Sequence, residues 1–66
     1  MKIILNGKEK EVADSTTLQL LLQAMQLHPE MVACELNLNI IKRNKYGSTQ
    51  LGEGDCVEIL QMIGGG

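Results

Sequence analysis

The stretch TTLQLLLQAMQL, residues 16–27, decides the fold. Its apolar side chains recur at the i, i+3, i+4, i+7 spacing of one helical face. They are Leu18, Leu21, Leu22 and Met25. A helix of about eleven residues is roughly 16 Å long, and a helix that short is marginal in water unless its apolar face is packed. We therefore expect it to lie across a sheet.

Both ends of this helix have sequence signals. Thr16 stands three residues before Gln19, which is the spacing of a capping box, in which each side chain bonds the backbone N–H of the other residue. Pro29 disfavours helical geometry at His28, so the helix is predicted to end near Leu27.

Upstream of the helix, the sequence predicts a β-hairpin. Lys2 to Leu5 is an apolar strand, and Asn6-Gly7 supplies the positive φ angles of a two-residue turn. Lys8 to Val12 then returns antiparallel, with Glu9 and Glu11 on one side and the lysines on the other. Charge of this density indicates an edge strand, because it discourages pairing with other chains.

Downstream of the helix, the period of the apolar residues changes to two. The alternation from Met31 to Leu36 predicts a half-buried strand with Cys34 facing the core. A turn around Asn37 to Asn39 leads to a short apolar strand, Ile40-Ile41. The polar run Lys42 to Lys45 is predicted to be a solvated loop.

A turn signal, Gly52 to Asp55, precedes the last strand. Val57 and Ile59 are expected on one side of this strand, and the opposite side is expected to hold residues nearer to solvent. The latter are Cys56, Glu58 and Leu60.

The composition excludes several function classes. The chain has 66 residues and a net charge of −2, which fits one domain. A domain of this size buries only about 60% of its unfolded surface, so a deep substrate cavity is not expected. The one aromatic residue, Tyr46, cannot supply the stacked rings that bind single-stranded nucleic acid. No apolar stretch reaches the roughly 20 residues that span a bilayer, and no secretory signal is recognisable. We expect a cytoplasmic protein with no nucleic acid and no membrane as partner.

No catalytic or metal site is recognisable in the sequence. Cys34 and Cys56 have no metal-ligand spacing and are predicted to be reduced thiols of unassigned role. A nucleophilic Cys56 is disfavoured because no activating group adjoins it in the sequence. His28 is expected at a helix end or on the surface. The prediction is no catalytic residue, no metal and no bound cofactor.

Three glycines, Gly64 to Gly66, follow the apolar last strand. A glycine run has high conformational entropy and no side chain to pack, so stability does not explain it. Fully extended, three residues reach roughly 10 Å, which would bring the carboxylate of Gly66 into a partner's pocket. A frayed terminus is the other interpretation of the glycines alone. We expect a domain over residues 1–63 and a flexible tail over residues 64–66.

The order of elements predicts an α+β fold, in which one helix packs across a mixed sheet of four to five strands. Several stretches carry a family resemblance: Asn6-Gly7, Thr16 to Leu22, Val32 to Asn37, Arg43 with Tyr46, Gly54 to Ile59, and Ile63 to Gly66. In these the chain resembles the β-grasp, ubiquitin-like sulfur carriers, most closely those of thiamine biosynthesis. The resemblance covers nearly the whole chain, and its most specific feature is the Gly-Gly end. Leu38 departs from it, since such carriers often have glycine there, and other residues are usual at Cys34 and Cys56.

The resemblance implies a protein co-substrate rather than an enzyme. An E1-like adenylyltransferase would use MgATP to convert the Gly66 carboxylate into an acyl-adenylate. A persulfide sulfur, supplied by a donor such as a cysteine desulfurase, would replace AMP and leave a thiocarboxylate that passes sulfur to a thiazole synthase. Gly64 and Gly65 would enter the partners' active sites, and the exposed sheet face would dock against both enzymes. Met62 and Ile63 are candidate partner contacts, and finishing the core strand is their alternative role.

Alternatives stay open. The small subunit of molybdopterin synthase has the same fold and Gly-Gly end, although it tends to be longer, and a tungsten or cysteine pathway carrier is a further member of that class. In a different class, the domain would be a ubiquitin-like interaction module with an inert glycine tail. The sequence identifies neither the final sulfur acceptor nor the oligomeric state.

Overall fold

A computed structural model describes residues 1–62, so Ile63 and the three glycines lie outside the described residues. The described elements are β1 (Lys2–Leu5), β2 (Lys8–Glu11), α1 (Leu18–Ala24), a 3₁₀ helix (Pro29–Met31), β3 (Val32–Leu36), β4 (Asn39–Ile41), a second 3₁₀ helix (Arg43–Ser48) and β5 (Cys56–Gln61). The strands form one sheet in the order β2-β1-β5-β3-β4. β1 and β5 run parallel, and the other neighbours are antiparallel. The predicted α+β class, with a mixed sheet and one α-helix over residues 1–62, is confirmed.

The core lies between α1 and one face of the sheet. The predicted apolar face of the helix is confirmed, because Leu18, Leu21 and Leu22 are at most 1% exposed. Fully burying one such side chain contributes about 2 kcal/mol. On the sheet, they pack with Ile3, Val32, Cys34, Val57 and Ile59. We call this side of the sheet the inner face. The outer face is the opposite side, which carries Ala33, Glu35, Ile40, Cys56, Glu58 and Leu60.

The first hairpin forms as the sequence predicts, apart from its last residue. Asn6 and Gly7 have φ angles of 49° and 83°, as a two-residue turn requires. β2 is an exposed edge strand along its whole length, and it ends at Glu11 rather than Val12.

The helix begins one residue later than predicted, and the capping box is wrong. The N-cap is Thr17, whose Oγ1 accepts a hydrogen bond from the Leu20 N–H at 3.1 Å. Thr16 lies outside the helix and donates its hydroxyl to the Ala13 carbonyl at 2.6 Å. Two adjacent threonines give the same cap signal, and the spacing to Gln19 selects the wrong one.

The end of the helix is also corrected, since α1 stops at Ala24 and not near Leu27. Gln26 adopts a φ of 59°, and its N–H bonds the Gln23 carbonyl at 3.0 Å. The Leu27 N–H bonds the Leu22 carbonyl at 2.9 Å. These two bonds form a Schellman motif, which ends the helix before the proline can. Glycine is usual at the left-handed position, so a glutamine there gives no sequence signal.

The polar run Lys42 to Lys45 was predicted to be a loop, and this is wrong from Arg43 onward. The second 3₁₀ helix begins there and brings Tyr46, which is 4% exposed, into the core. His28 caps the first 3₁₀ helix, because its Nδ1 accepts from the Glu30 N–H at 3.2 Å. The predicted helix-end role of His28 is therefore confirmed.

Candidate functional site

The predicted reactive end, Gly66 preceded by Gly64 and Gly65, lies outside the described residues together with Ile63. The structure does describe the point that leads to it. Met62 donates its N–H to the Met31 carbonyl at 2.8 Å, and its side chain is 47% exposed. The backbone is therefore still bound to the body of the protein one residue before Ile63.

β5, the strand that leads to Met62, is paired unequally with its two neighbouring strands. β3 pairs with it from Val57 to Gln61. β1 pairs only with its start, where Ile4 lies beside Cys56 and Leu5 beside Val57. The second half of β5 therefore has a neighbouring strand on one side only.

The side chain of Asn6 hydrogen-bonds to the side of β5 that has no neighbouring strand. Its own N–H donates to the Val57 carbonyl at 2.9 Å, but the left-handed backbone then turns away from β5. The side-chain Oδ1 accepts from the Ile59 N–H at 2.8 Å, and Nδ2 lies 3.4 Å from the Ile59 carbonyl oxygen. Sequence reasoning assigned Asn6 to the turn and missed this second role, because no sequence pattern links residues 6 and 59.

A second asparagine holds the start of β5. The Cys56 N–H donates to Asn37 Oδ1 at 2.9 Å, and Asn37 Nδ2 donates to Asp55 Oδ1 at 3.1 Å. The Asn37 N–H also donates to the Cys56 carbonyl at 2.8 Å. Hydrogen bonds thus fix both ends of the last strand.

The outer face presents exposed apolar side chains on β4 and β5. Leu60 is 66% exposed and Ile40 is 77% exposed. Glu35 and Glu58 lie directly opposite each other in the β3–β5 register. Within residues 1–62, the ion pairs join the N-terminus to Asp14 and Lys2 to Glu9, so no described cation neutralises this pair of glutamates. Like charges placed directly across a sheet are destabilising, and a partner's basic side chain would remove that cost.

The same face holds a shallow hollow of ≈ 280 Å³. Its lining residues are Ala33, Cys34, Glu35, Ile40, Glu58 and Leu60. Small-molecule sites are usually about 300–1,000 Å³ and bury most of their ligand. An open sheet surface of this size therefore fits contact with another protein better than a substrate pocket.

The two thiols are separated by the sheet, as predicted. Both are free; Cys34 is buried and Cys56 is exposed on the outer face. Burial raises the pKa of the Cys34 thiol, because the thiolate is poorly solvated there. Burial is also the main reason that the pKa of Tyr46 rises to about 12, with the adjoining Cys34 as a further cause. Neither buried group is suited to react at neutral pH.

Residues 1–62 contain no group of three or more His, Cys, Asp or Glu side chains placed to hold a metal ion. None of the helices described is long and apolar enough to cross a bilayer.

Comparison with known proteins gives a consistent family. The model of the ThiS family matches residues 3–66. The sulfur carrier protein ThiS of Bacillus subtilis is 40% identical over 63 residues, which cover 94% of this chain and 96% of that protein. The crystal structure of a thiamine biosynthesis protein, ThiS, from Geobacter metallireducens superposes with a TM-score of 0.85 at 36% identity and covers 100% of both chains.

Longer relatives also match. A thiazole synthase of Magnetococcus marinus is 42% identical over 66 residues, and one of Paramagnetospirillum magneticum is 36% identical over 66 residues. The whole of this chain spans only 20% of the length of each. The match to Bacillus ThiS, by contrast, spans 96% of that protein, and the family model covers residues 3–66 of this chain. The protein therefore belongs to the ThiS family.

Proposed function

We propose that the chain is a sulfur carrier of thiamine biosynthesis, whose Gly66 carboxylate is adenylated and converted into a thiocarboxylate that donates sulfur for thiazole formation. The observation that carries this proposal is the match, over nearly its full length, to a protein named as a sulfur carrier. The structure adds support, since β5 is fixed at both ends and leads directly to residues 63–66.

The chemistry follows from the low reactivity of a carboxylate. It is anionic and has no good leaving group, so a carboxylate oxygen of Gly66 must first attack the α-phosphorus of ATP and release pyrophosphate. A persulfide sulfur then attacks the acyl carbon, and AMP leaves with the electrons of the broken C–O bond. A thiol cleaves the remaining S–S bond, forming a disulfide, and releases the thiocarboxylate. An E1-like, ThiF-like adenylyltransferase would supply the MgATP site, and a cysteine desulfurase would supply the persulfide.

The carrier itself would present its terminal carboxylate to the partner enzymes and would not catalyse a step. Cys34 and Tyr46 are buried, and burial raises the pKa of each, so both are neutral at physiological pH. Side chains at Gly64 or Gly65 would widen the segment that has to enter two different active sites. We therefore infer that the protein is a regenerated co-substrate, and that the active sites belong to its partners.

The thiazole synthase relatives support the choice of sulfur acceptor. In two of them, a segment similar to this entire chain is part of the same polypeptide as the synthase. Covalent linkage raises the effective concentration of two modules that act together, often to the millimolar range. We infer that a ThiG-like thiazole synthase is the acceptor enzyme for this carrier.

The outer face is the proposed docking surface for these enzymes. Leu60 and Ile40 offer exposed apolar contacts, and Leu38 at the turn before β4 is 88% exposed. The facing carboxylates of Glu35 and Glu58 would receive a Lys or Arg side chain of the partner. Free thiols and a thiocarboxylate persist in a reducing compartment, so the proposed location is the cytoplasm.

Intact mass tests the proposal. The carrier is incubated with its cognate E1-like enzyme, MgATP and a persulfide donor. Replacement of one oxygen atom by sulfur is expected, whereas an unchanged mass under conditions that convert a known ThiS would favour an interaction module with an inert tail. Sulfur transfer from the product to the thiazole synthase separates this assignment from the molybdopterin route.

A variant with one alanine appended after Gly66 is the matched control. It should fold normally, because the addition lies beyond the described body. Its terminal acyl carbon belongs to the added alanine, so it lies one residue further along the chain and is bonded to a methyl-bearing Cα. Adenylation should therefore be abolished. Adenylation at the native rate would contradict the idea that the tail is inserted to a fixed depth.

A further inference from the structure

We propose that Asn6 is a positioning residue for the reactive tail, because its side-chain amide fixes the end of β5 and hence the point from which the tail leaves the body. This inference rests on the proposed function. It concerns a residue sixty positions before Gly66 in sequence, which contacts the strand that precedes the tail.

The backbone geometry shows why this role falls to a side chain. Alternate residues of a strand direct their N–H and C=O groups to the same neighbour. Since the Val57 carbonyl accepts from the Asn6 N–H, Val57, Ile59 and Gln61 all face the side of β1. The chain turns at Asn6, which has a φ of 49°. Beyond this point, no described residue offers a main-chain partner to this side of β5. The amide of Asn6 then occupies the place of the missing strand residue and engages both backbone groups of Ile59.

Ile59 is a good place for such a bond. Its side chain is 6% exposed, so it is the last residue of β5 that is anchored in the core. Leu60 and Gln61, beyond it, are exposed. A bond at Ile59 therefore sets the boundary between the part of β5 that is anchored in the core and the exposed part that leads to Met62.

Loss of the amide would move this boundary towards the core. Ile59 would keep its buried side chain and its pairing with β3 but lose both partners on the β1 side. Each additional backbone residue that a partner must order lowers the population of the correct arrangement by about tenfold. We expect fraying of about one residue, because the core contact of Ile59 remains.

The chain provides a matched control at the other end of β5. Asn37 also has a left-handed backbone, with a φ of 51°, and its Oδ1 also accepts from a β5 N–H. Its bond lies at Cys56, at the start of β5, where β1 also pairs with the strand. Asn6→Gly and Asn37→Gly remove equivalent amides without backbone strain, since glycine adopts positive φ freely.

The test compares three variants in adenylation by the E1-like enzyme, with pyrophosphate release measured against carrier concentration. For Asn6→Gly we expect kcat to fall about tenfold with KM within about twofold of the wild type, because the docking face is intact and the tail is less well placed. Asn37→Gly should leave both constants near those of the wild type. Asn6→Asp should recover part of kcat, since one carboxylate oxygen can still accept from the Ile59 N–H, while the other replaces the Nδ2 donor 3.4 Å from the Ile59 carbonyl oxygen.

Hydrogen exchange supplies a readout that does not need the enzyme. The Met62 amide bonds Met31 and not Asn6, so faster exchange at Met62 reports fraying of the end of β5. We expect faster exchange in Asn6→Gly, and unchanged exchange in Asn37→Gly. The proposal is overturned if the two glycine variants lower kcat equally, or if Met62 exchange is unchanged in Asn6→Gly. Absence of adenylation in the wild type would refute the proposed function instead, while the exchange at Met62 would still decide the role of Asn6.

Discussion

Two asparagine turns hold opposite ends of the same strand. Asn6 and Asn37 have nearly the same backbone φ, 49° and 51°. Each uses Oδ1 to accept from a β5 N–H, at 2.8 Å and 2.9 Å. The difference lies in what surrounds them, because Asn37 reinforces a start that already has strands on both sides, while Asn6 replaces a missing strand. The same local device therefore stabilises the fold at one end and, in our proposal, positions the reactive tail at the other.

The largest expected effect is in the reactivity of the two thiols. Cys34 pairs with Ile59 in the β3–β5 register and is 1% exposed, whereas Cys56 is exposed. Alkylation of Cys34 requires local opening, so Cys56 should react at least about 100-fold faster, which corresponds to an opening free energy of about 2.7 kcal/mol or more. Peptide mass spectrometry after timed treatment with iodoacetamide measures both rates.

This experiment also sharpens the comparison between the turns. Because Cys34 lies across from the residue that Asn6 holds, Asn6→Gly should accelerate its alkylation several-fold more than Asn37→Gly does. An acceleration that matches the loss of global stability in each variant would mean that Cys34 reacts only through global unfolding, and that the end of β5 does not open by itself.

The next effect is on global stability. Each asparagine-to-glycine change removes two side-chain hydrogen bonds and should lower the free energy of unfolding by about 1–2 kcal/mol. The Asn6 variant is expected to lose more, since Ile59 is buried and Cys56 is exposed, and an unpaired polar group costs more where water cannot reach it. Urea denaturation of both variants measures the difference, and a larger loss for Asn37→Gly would reverse this ranking.

A smaller effect on stability is expected from substitution of the residues that follow the two asparagines. Gly7 has a φ of 83°, with nothing within 4 Å of an added Cβ, whereas Leu38 adopts a φ of 72° and is 88% exposed. A left-handed backbone costs a residue with a Cβ roughly 1–2 kcal/mol, a cost that glycine avoids. Glycine gives back about 0.5–1 kcal/mol of this advantage, because it loses more conformational entropy on folding. Leu38→Gly should therefore stabilise the protein by up to about 1 kcal/mol, and Gly7→Ala should destabilise it by a similar amount.

Leu38→Gly also tests the docking surface. A strained, exposed leucine indicates a function that offsets the strain, so the variant should be more stable yet bind its partner enzyme less tightly. Thermal unfolding and titration calorimetry with the E1-like enzyme and the thiazole synthase give the two quantities. Increased stability with unchanged affinity for both enzymes would remove Leu38 from the proposed surface.

The sequence predicted the elements that depend on local patterns. The β5 alternation separates buried Val57 and Ile59 from the exposed outer face, and Asn6-Gly7 forms the expected hairpin. The helix end was not predictable in this way, because a glutamine occupies the left-handed position at residue 26. Tyr46 gave no periodic signal, since a short 3₁₀ turn buries a single side chain.

The contacts around the candidate site depend on residues far apart in sequence. The bond between Asn6 and Ile59 spans 53 positions, and the one between Asn37 and Cys56 spans 19. Both arise only when the sheet order brings β1, β5 and β3 together. The three glycines could be singled out from the sequence alone, but the groups that hold the strand before them could not.

The smallest expected effect is the pH dependence of stability. Burial raises the pKa of Cys34 above its ordinary 9.0 and that of Tyr46 from 10.0 to about 12. In the unfolded chain these groups release their protons at lower pH than in the native state. The unfolded state then binds fewer protons, so stability falls as pH rises. Neither group changes stability below about pH 8, and the loss begins near pH 9 and continues towards pH 12.

Between pH 8 and 9.5 the loss should stay below about 1 kcal/mol, because one proton contributes at most about 1.4 kcal/mol per pH unit. Cys34→Ala separates the two groups. This variant has lower stability overall, but its decline should begin nearer to pH 10, where only Tyr46 differs between the folded and unfolded states. Urea denaturation at half-unit pH steps measures both curves. Cys34 faces Ile59, so opening of the β5 end in Asn6→Gly should leave the thiol less protected. The free energy of unfolding of this variant should then fall less steeply near pH 9 than that of Asn37→Gly. Identical pH dependence in the two variants would show that the inner face under Ile59 stays closed in both.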